Sequence, residues 1–263
     1  MIKLEPRKNR SSILEISTPI IAVIMTMLFG GILFYLMGKN PFEVIKLIFW
    51  DPIMSPTFSE YSRPQLVVKA APLILIALGL SFGFRANIWN IGAEGQYIMG
   101  ALLSGGIGLA LYPLSAWYVF PLMIVGGIIG GATWAMIPAL LKIKFNTNEI
   151  LVSLMLVYVA EQILALASLG FLRNPEGLGF PGSRDLSKYE SAANPELIAG
   201  TGIHLGVVFS FIAVIFLTYF LSYHRTGFQI KLIGQAPRAA SFAGINLRYI
   251  VIFCLGLSGG LAG

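Results

Sequence analysis

The sequence HLGVVFSFIAVIFLTYFLSY, residues 204–223, is an apolar run long enough to cross a lipid bilayer as one helix. A further apolar run begins near Tyr249, and between the two lies the insert IGQAPRAASFAGIN, residues 233–246. The insert consists largely of small residues, and its only charged side chain is that of Arg238. This order predicts two membrane-spanning helices joined by a thin segment at one membrane face.

The composition of the whole chain agrees with this prediction. Of the 263 residues, 56% are hydrophobic and only 11% are charged, and the mean hydropathy is +0.79. Such values are typical of integral membrane proteins and not of soluble domains. We therefore expect an all-α fold, a polytopic transmembrane helical bundle that forms a single domain over residues 1–263.

About seven apolar runs are separated by polar segments, and most approach the length of a bilayer crossing. They cover residues 18–38, 70–84, 93–112, 117–141, 149–169 and 204–223, with a last run that begins near Tyr249. The second run is short for a full crossing. Before it, residues 39–69 mix charges with aromatic side chains, which predicts an external segment at the membrane interface. The last run stops in mid-span and would leave carbonyl groups unpaired in hydrocarbon, so we expect a C-terminally truncated chain.

Basic side chains set the predicted orientation. Residues 1–17 are rich in lysine and arginine, which places the N-terminus in the cytoplasm by the positive-inside rule. The polar residues 170–203 then form an external loop, and residues 224–248 form a cytoplasmic one. The net charge of +6 comes from basic residues at the ends of apolar runs. We attribute it to topology and to contact with membrane lipid, and not to nucleic-acid binding.

Glycines four residues apart predict close packing between membrane helices. The pairs are Gly79 with Gly83, Gly126 with Gly130, Gly127 with Gly131 and Gly256 with Gly260.

Within the insert, the residue types predict a short helix. Pro237 suits the first helical position, where no N–H is needed, and Gly244 can close the helix in a left-handed conformation. The helix would span about two turns. Its alanines leave it thin, Phe242 offers an apolar anchor and Arg238 a charge. Such an element is suited to docking, although an ordinary connecting helix is the alternative.

The insert resembles the cytoplasmic coupling loop of bacterial ABC importer permeases of the branched-chain amino acid, ribose and nucleoside class, with the pattern G-x-N-P-x-A-A-R-Y-A-G-I. Ala236, Ser241 and Phe242 replace the Asn, Arg and Tyr of that pattern. In the family this helix sits in a cleft of the ATP-hydrolysing subunit. The resemblance therefore implies that contact with the ATPase rests on Gly234, Pro237, Arg238, Ala239, Ala240, Phe242 and Gly244.

The stretch FRANIWNIGAEGQ, residues 84–96, places polar side chains between two apolar runs. These side chains are Asn87, Asn90, Glu94 and Gln96. Together with the short preceding run and three nearby glycines, they predict a broken helix that enters the membrane, as in transporter binding sites. Asn90 and Glu94 would share a face if the segment were helical. A plain cytoplasmic loop is the alternative.

Two further resemblances accompany this stretch. Residues 90–96 match a run of the pattern F-R-x-G/A-x-x-N-I-G-A-E-G-Q of the nucleoside and simple-sugar permease branch, which implies a position along the translocation pathway. Residues 147–160, TNEILVSLMLVYVA, are similar to the family's opening of the fifth span, V-N-E-V-I-S-T-L-M-L-N-Y-I-A. Val157 stands where that pattern has Asn. Asn148 and Glu149 also suit the start of a helix, where a cap and a negative charge are favourable.

Glu161 lies near the middle of the fifth apolar run, where an ionisable residue is a functional hypothesis. It faces either the pathway or a neighbouring span, and a protonated carboxyl bonded to a facing helix is the structural alternative. The predicted substrate-pathway residues are Asn87, Asn90, Glu94, Gln96 and Glu161.

The sequence contains no G-x-x-x-x-G-K-[ST] phosphate loop, so ATP hydrolysis is expected on a separate chain and no enzyme activity on this one. We expect no cofactor and no metal site. The resemblance implies ATP-binding subunits, a second permease subunit and a substrate-binding protein as partners, in a bacterial inner membrane. The rival hypotheses are an ion-coupled carrier that uses Glu94, Glu149 or Glu161, and a scaffold that transports nothing.

Overall fold

The computed structural model describes residues 12–178, 180 and 182–263. Contacts divide the chain into two compact units, residues 1–65 and 66–263, which are described separately. The first unit contains helices α1 (Ser12–Leu36) and α2 (Pro41–Ile45), a π-helical turn (Lys46–Trp50), α3 (Asp51–Met54) and the start of α4 (Ser59–Arg85). The single domain over residues 1–263 stays a prediction.

The second unit contains the rest of α4 and all later elements. These are α5 (Ala93–Ala110), α6 (Val119–Phe145), α7 (Glu149–Leu169), a 3-10 turn (Leu186–Lys188), strands β1 (Glu196–Ile198) and β2 (Ile203–His204), α8 (Leu205–Tyr223), α9 (Arg225–Gln235), α10 (Pro237–Phe242) and α11 (Leu247–Ala262). The two strands pair in an antiparallel manner.

The predicted all-α polytopic class is confirmed. Among the described residues, five helices are long and apolar enough to cross a membrane: α1, α4, α6, α7 and α8. Helix α5 has 18 residues but begins with polar side chains, and α11 is a shorter apolar helix of 16 residues. Seven spans therefore remain a prediction, as does the cytoplasmic N-terminus, because residues 1–11 lie outside the described part.

The run predicted as a short span at residues 70–84 is the C-terminal part of a much longer helix. Helix α4 has 27 residues and begins at Ser59, within the segment that we predicted to be interfacial. The charged residues Glu60, Arg63 and Lys69 did not mark a boundary, because Glu, Arg and Lys are good helix formers. The prediction of a short second span was wrong for that reason.

Close backbone packing brings α4, α5, α6 and α11 together at small residues. A Cβ atom on Gly130 would lie 2.7 Å from the carbonyl oxygen of Met99, and one on Gly79 would lie 2.8 Å from Cα of Ser258. Within a membrane the hydrophobic effect does not drive helices together, because lipid tails are as apolar as the side chains. Close packing at small residues stabilises the helix pairs instead. The predicted packing role of Gly79 and Gly130 is confirmed, whereas Gly260 makes only ordinary contacts, at 3.4 Å or more.

At one end of the second unit, Tyr189 and Ser191 contact the turn that joins α5 to α6. The hydroxyl of Tyr189 lies 3.0 Å from the carbonyl oxygen of Leu111 and 2.5 Å from that of Leu114. The backbone N–H of Ala116 donates to Oγ of Ser191 at 3.1 Å. These contacts fix the turn between α5 and α6. The turn lies at the end of α5 opposite to residues 86–92, and therefore opposite to α9 and α10.

Candidate transport and coupling sites

The insert forms the short helix that the sequence predicts. Pro237 is the first residue of α10, and Gly244 closes the turn after it with a φ of +76°. Helix α9, which precedes α10 and is separated from it only by Ala236, was not predicted from the sequence. The backbone N–H of Ala236 donates to the carbonyl of Leu232 at 2.8 Å, so the two helices follow one another without a flexible linker.

The two faces of α10 differ in exposure. Ala240 is fully buried, in an apolar cluster that includes Phe82, Ile230 and Ile250. In contrast, the side chain of Phe242 is 94% exposed. The exposed side of α10 also carries Arg238 and Ala239, and Gly244, in the turn after the helix, is exposed as well. The thin side of the helix at Ala240 therefore faces this chain itself, and the surface free for a partner is the side with Phe242.

Gly234 belongs to the inner side as well. A Cβ atom there would meet the backbone of the α4 terminus, at 3.0 Å from the carbonyl carbon of Arg85 and 3.3 Å from that of Ala86. Only glycine permits this approach, so α9 lies directly against the end of α4.

The predicted helix interruption is present. Helix α4 ends at Arg85, α5 begins at Ala93, and Asn87 between them has a φ of +57°. Asn90 and Glu94 do not share a helix face, because Asn90 precedes the first helical residue. Asn90 is buried at 2% exposure, whereas Glu94 is exposed. The common face was predicted only for a segment that is helical across Gly92, and that condition is not met.

Asn90 and Gln96 form a reciprocal amide pair in the interior. Nδ2 of Asn90 donates to Oε1 of Gln96 at 2.9 Å, and Nε2 of Gln96 donates to Oδ1 of Asn90 at 3.1 Å. Nδ2 of Asn90 also donates to Oγ of Ser258 in α11 at 2.9 Å. Oδ1 of Asn90 further accepts the backbone N–H of Gly92 at 3.0 Å.

The other predicted pathway residues lie at the surface of the chain. Asn87 is exposed, and its Oδ1 accepts the indole N–H of Trp89 at 3.1 Å. Glu94 is exposed in the first turn of α5, and Glu161 is exposed on α7. Within the described part of the chain, Glu161 has neither a hydrogen-bond partner nor an ion-pair partner. The structural alternative of a carboxyl bonded to a facing helix of this chain thus has no support.

Residues at the start of α7 act as the sequence predicts for a helix start. Oδ1 of Asn148 accepts the backbone N–H of Ile150 at 2.9 Å, which caps α7. Glu149 is buried at 8% exposure and pairs with Nζ of Lys142 at 2.5 Å. This role of Lys142 was not predicted from the sequence. Its place in the last turn of an apolar run, seven residues before a carboxylate, was the available signal.

Val157 occupies a buried contact between α5 and α7. It is 6% exposed and packs against Gly95, where a Cβ atom would lie 3.1 Å from Cα of Val157 and 3.3 Å from Nε1 of Trp134. That indole nitrogen is buried and has no hydrogen-bond partner among the described residues. Valine thus replaces the asparagine of the resembled pattern at a position near Gly95, which the unpaired indole N–H also approaches.

Residues 62–263 match the family model of the permease component of branched-chain amino acid transport systems. The chain belongs to this permease family. The permease is 28% identical to the glucose ABC transporter permease of Haloferax volcanii, over 99% of this chain and 69% of the relative. It is 25% identical to the guanosine ABC transporter permease of Bacillus subtilis, over 93% of this chain and 69% of the relative. It is also 25% identical to the nucleoside ABC transporter permease of Lactococcus lactis, over 95% of this chain and 69% of the relative.

No solved structure matches the permease. The family and these relatives support an ABC transporter permease and not an ion-coupled carrier or a scaffold. With several apolar helices, the permease is a multi-pass membrane protein.

Proposed function

We propose that this chain is the membrane-spanning subunit of a bacterial inner-membrane ABC importer for nucleosides or simple sugars. The support for the substrate class is the set of relatives, whose names specify glucose, guanosine and nucleosides. The energy would come from separate ATP-binding subunits. A second permease subunit and a substrate-binding protein would complete the transporter.

The observation that carries this proposal is the exposure of Phe242 on an otherwise firmly seated helix. Ala240 and Gly234 fix α9 and α10 to the bundle, while Phe242 and Arg238 project away from it. An exposed aromatic side chain on a rigid support is suited to filling a pocket of a partner, since buried aromatic anchors dominate binding energies. We propose that this side of α10 docks in the ATP-hydrolysing subunit.

For the pathway, we propose unequal roles for the five candidate residues. Asn87, Glu94 and Glu161 are exposed and can face a water-filled route or a second permease subunit. A carboxylate that faced lipid at mid-span would cost about 3 kcal/mol, so Glu161 is expected to face water or protein in the assembled transporter. Asn90 and Gln96 border the route and hold it in place through their buried hydrogen bonds.

An uptake assay tests the proposal. Cells that lack the gene and cells that express it would be supplied with radiolabelled guanosine or glucose, with and without depletion of ATP. We expect gene-dependent uptake of one of the two that stops when ATP is depleted and survives collapse of the proton gradient. Uptake that followed the proton gradient alone would overturn the proposal in favour of an ion-coupled carrier.

A further inference from the structure

We infer that the non-helical residues 86–92, which include Asn90, are the element that transmits motion of α9 and α10 to the helices of the pathway. In this role Asn90 is a positioning residue and not a substrate contact. The inference rests on the proposed function, because it assumes that α10 moves with an ATPase.

The first link joins α10 to the segment through backbone contacts. The backbone N–H of Ala240 in α10 donates to the carbonyl of Ala236 at 3.0 Å, so α10 continues directly from the end of α9. Gly234 of α9 in turn lies against the backbone of Arg85 and Ala86. A displacement of α10 that carried α9 with it would therefore push on the first residues of the segment, because no side chain lies between the two backbones to absorb it.

The second link joins the segment to α5 and α11 through Asn90. The amide group has two N–H donors and two acceptor sites on its oxygen. Both donors are used, by Gln96 of α5 and Ser258 of α11, and the oxygen accepts from Gln96 and from the backbone of Gly92. With 2% exposure and every site filled, Asn90 has no group left for a substrate in this conformation.

The third link joins the segment to α7. The backbone N–H of Ile91 donates to Oγ of Ser153 at 3.2 Å. A Cβ atom on Gly92 would lie 2.7 Å from the carbonyl oxygen of Ser153, so the two backbones are in direct contact. Ser153 and Ser258 are 1% and 2% exposed, and the hydrogen bonds they make are shielded from water. Low local polarity strengthens such bonds, so the segment and the three helices are expected to move together.

The test compares Asn90→Asp with the wild type in the assembled transporter, reconstituted in liposomes with its ATPase subunits and binding protein. Guanosine and glucose serve as the probes. Aspartate keeps the shape and removes both N–H donors, so the two bonds that Asn90 donates, to Oε1 of Gln96 and Oγ of Ser258, are lost. The carboxylate is left against the acceptor Oε1 of Gln96, and Ser258 can stay bonded only by turning its hydroxyl to donate, so the network has to rearrange. We expect the amount of guanosine or glucose moved per ATP hydrolysed to fall about tenfold, within the range typical of coupling between sites. The apparent KM for guanosine or glucose, and the amount of ATPase bound to the permease, are expected to stay unchanged.

Two further variants make the outcome decisive. Asn40→Asp is the matched control, because the exposed side chain of Asn40 makes one hydrogen bond within the described residues. It accepts the N–H of Phe42 at 3.1 Å, which aspartate also does. Ser258→Ala removes one hydrogen bond without a buried charge, and it decides the matter if Asn90→Asp does not assemble. The inference would be overturned if the variant that assembles transports the normal amount of guanosine or glucose per ATP hydrolysed. A raised KM for the transported probe with that ratio unchanged would overturn it as well. A wild type that binds no ATPase would instead overturn the proposed function.

Discussion

Glu161 is exposed on α7, and whether it contributes to transport depends on what surrounds it in the assembled transporter. Within the described residues of the single chain, no group forms a hydrogen bond or an ion pair with its carboxylate. We predict that Glu161→Leu lowers the maximal uptake rate at least about fivefold, whereas Glu161→Gln, which stays polar, retains most of it. Initial uptake rates measure the effect, normalised to the amount of protein in the membrane. Equal uptake by wild type and Glu161→Leu would show that Glu161 lies outside the pathway.

The indole N–H of Trp134 is buried near Gly95, close to Val157, and has no acceptor among the described residues. An unpaired buried donor costs about 1–3 kcal/mol. Val157→Asn supplies an acceptor but also buries the two N–H donors of its amide, so we predict that it lowers the thermal unfolding midpoint of the purified protein less in the wild type than in a Trp134→Phe background. An equal effect in both backgrounds would contradict this explanation.

The contacts of Asn90 show which features could be predicted from the sequence and which could not. The stretch around Asn90 stood out because polar residues followed an apolar run, and the break in the helix was predicted. The bond from Asn90 to Ser258 joins residues 168 positions apart, and no local pattern contains it. For the same reason Asn90 and Gln96 were predicted only as residues along the pathway, and their hydrogen bonds to each other and to Ser258 could not be predicted from the sequence.

At the scale of helices, the glycines of α5 and α6 provide a matched pair of sites. We predict that Gly130→Ala destabilises the protein by about 1–3 kcal/mol, because the added methyl group would lie 2.7 Å from the carbonyl oxygen of Met99. Gly105→Ala is the control, since nothing lies within 4 Å of its Cβ position. It should be neutral or stabilising by about 0.5–1 kcal/mol. Thermal unfolding in detergent distinguishes the two, and equal midpoints would contradict the packing of α5 on α6.

The exposed side of α10 yields a prediction about docking. Phe242→Ala should weaken retention of the ATPase at least about tenfold, because it removes an exposed aromatic anchor without touching the core. The matched control is Phe171→Ala, which removes an 82% exposed phenylalanine from the predicted external loop. Retention of ATPase on affinity-purified permease measures both. If Phe171→Ala lost the ATPase and Phe242→Ala retained it, the docking surface would lie elsewhere.

Helix boundaries were predictable where special backbone geometry fixed them. Pro237 and Gly244 bounded α10 correctly, because proline fits the first turn and glycine the left-handed closure. The start of α4 was missed, since charged residues with good helix propensity extend the helix beyond its apolar part. Helix α9 was missed because Ile230 and Ile233 are buried by tertiary contacts that a polar-looking segment does not reveal.

For the whole molecule, the two ends of residues 66–263 differ in character. One end carries the loop that Tyr189 fastens to the turn between α5 and α6. The other carries α10, with its exposed phenylalanine, next to the segment around Asn90. The proposed importer needs such an asymmetry, because one face would receive the substrate and the other would dock the ATP-hydrolysing subunit. The chain spans 69% of the length of the glucose permease of Haloferax volcanii.

The central claim is that this chain works as the permease of an ATP-driven importer, and purification from its native membrane tests it most directly. The tagged chain would be extracted in mild detergent, and the proteins that accompany it would be identified by mass spectrometry. We predict that a P-loop ATPase and a second permease accompany it in stoichiometric amounts. A chain that purified without any ATPase, yet still supported proton-driven uptake in liposomes, would contradict the account.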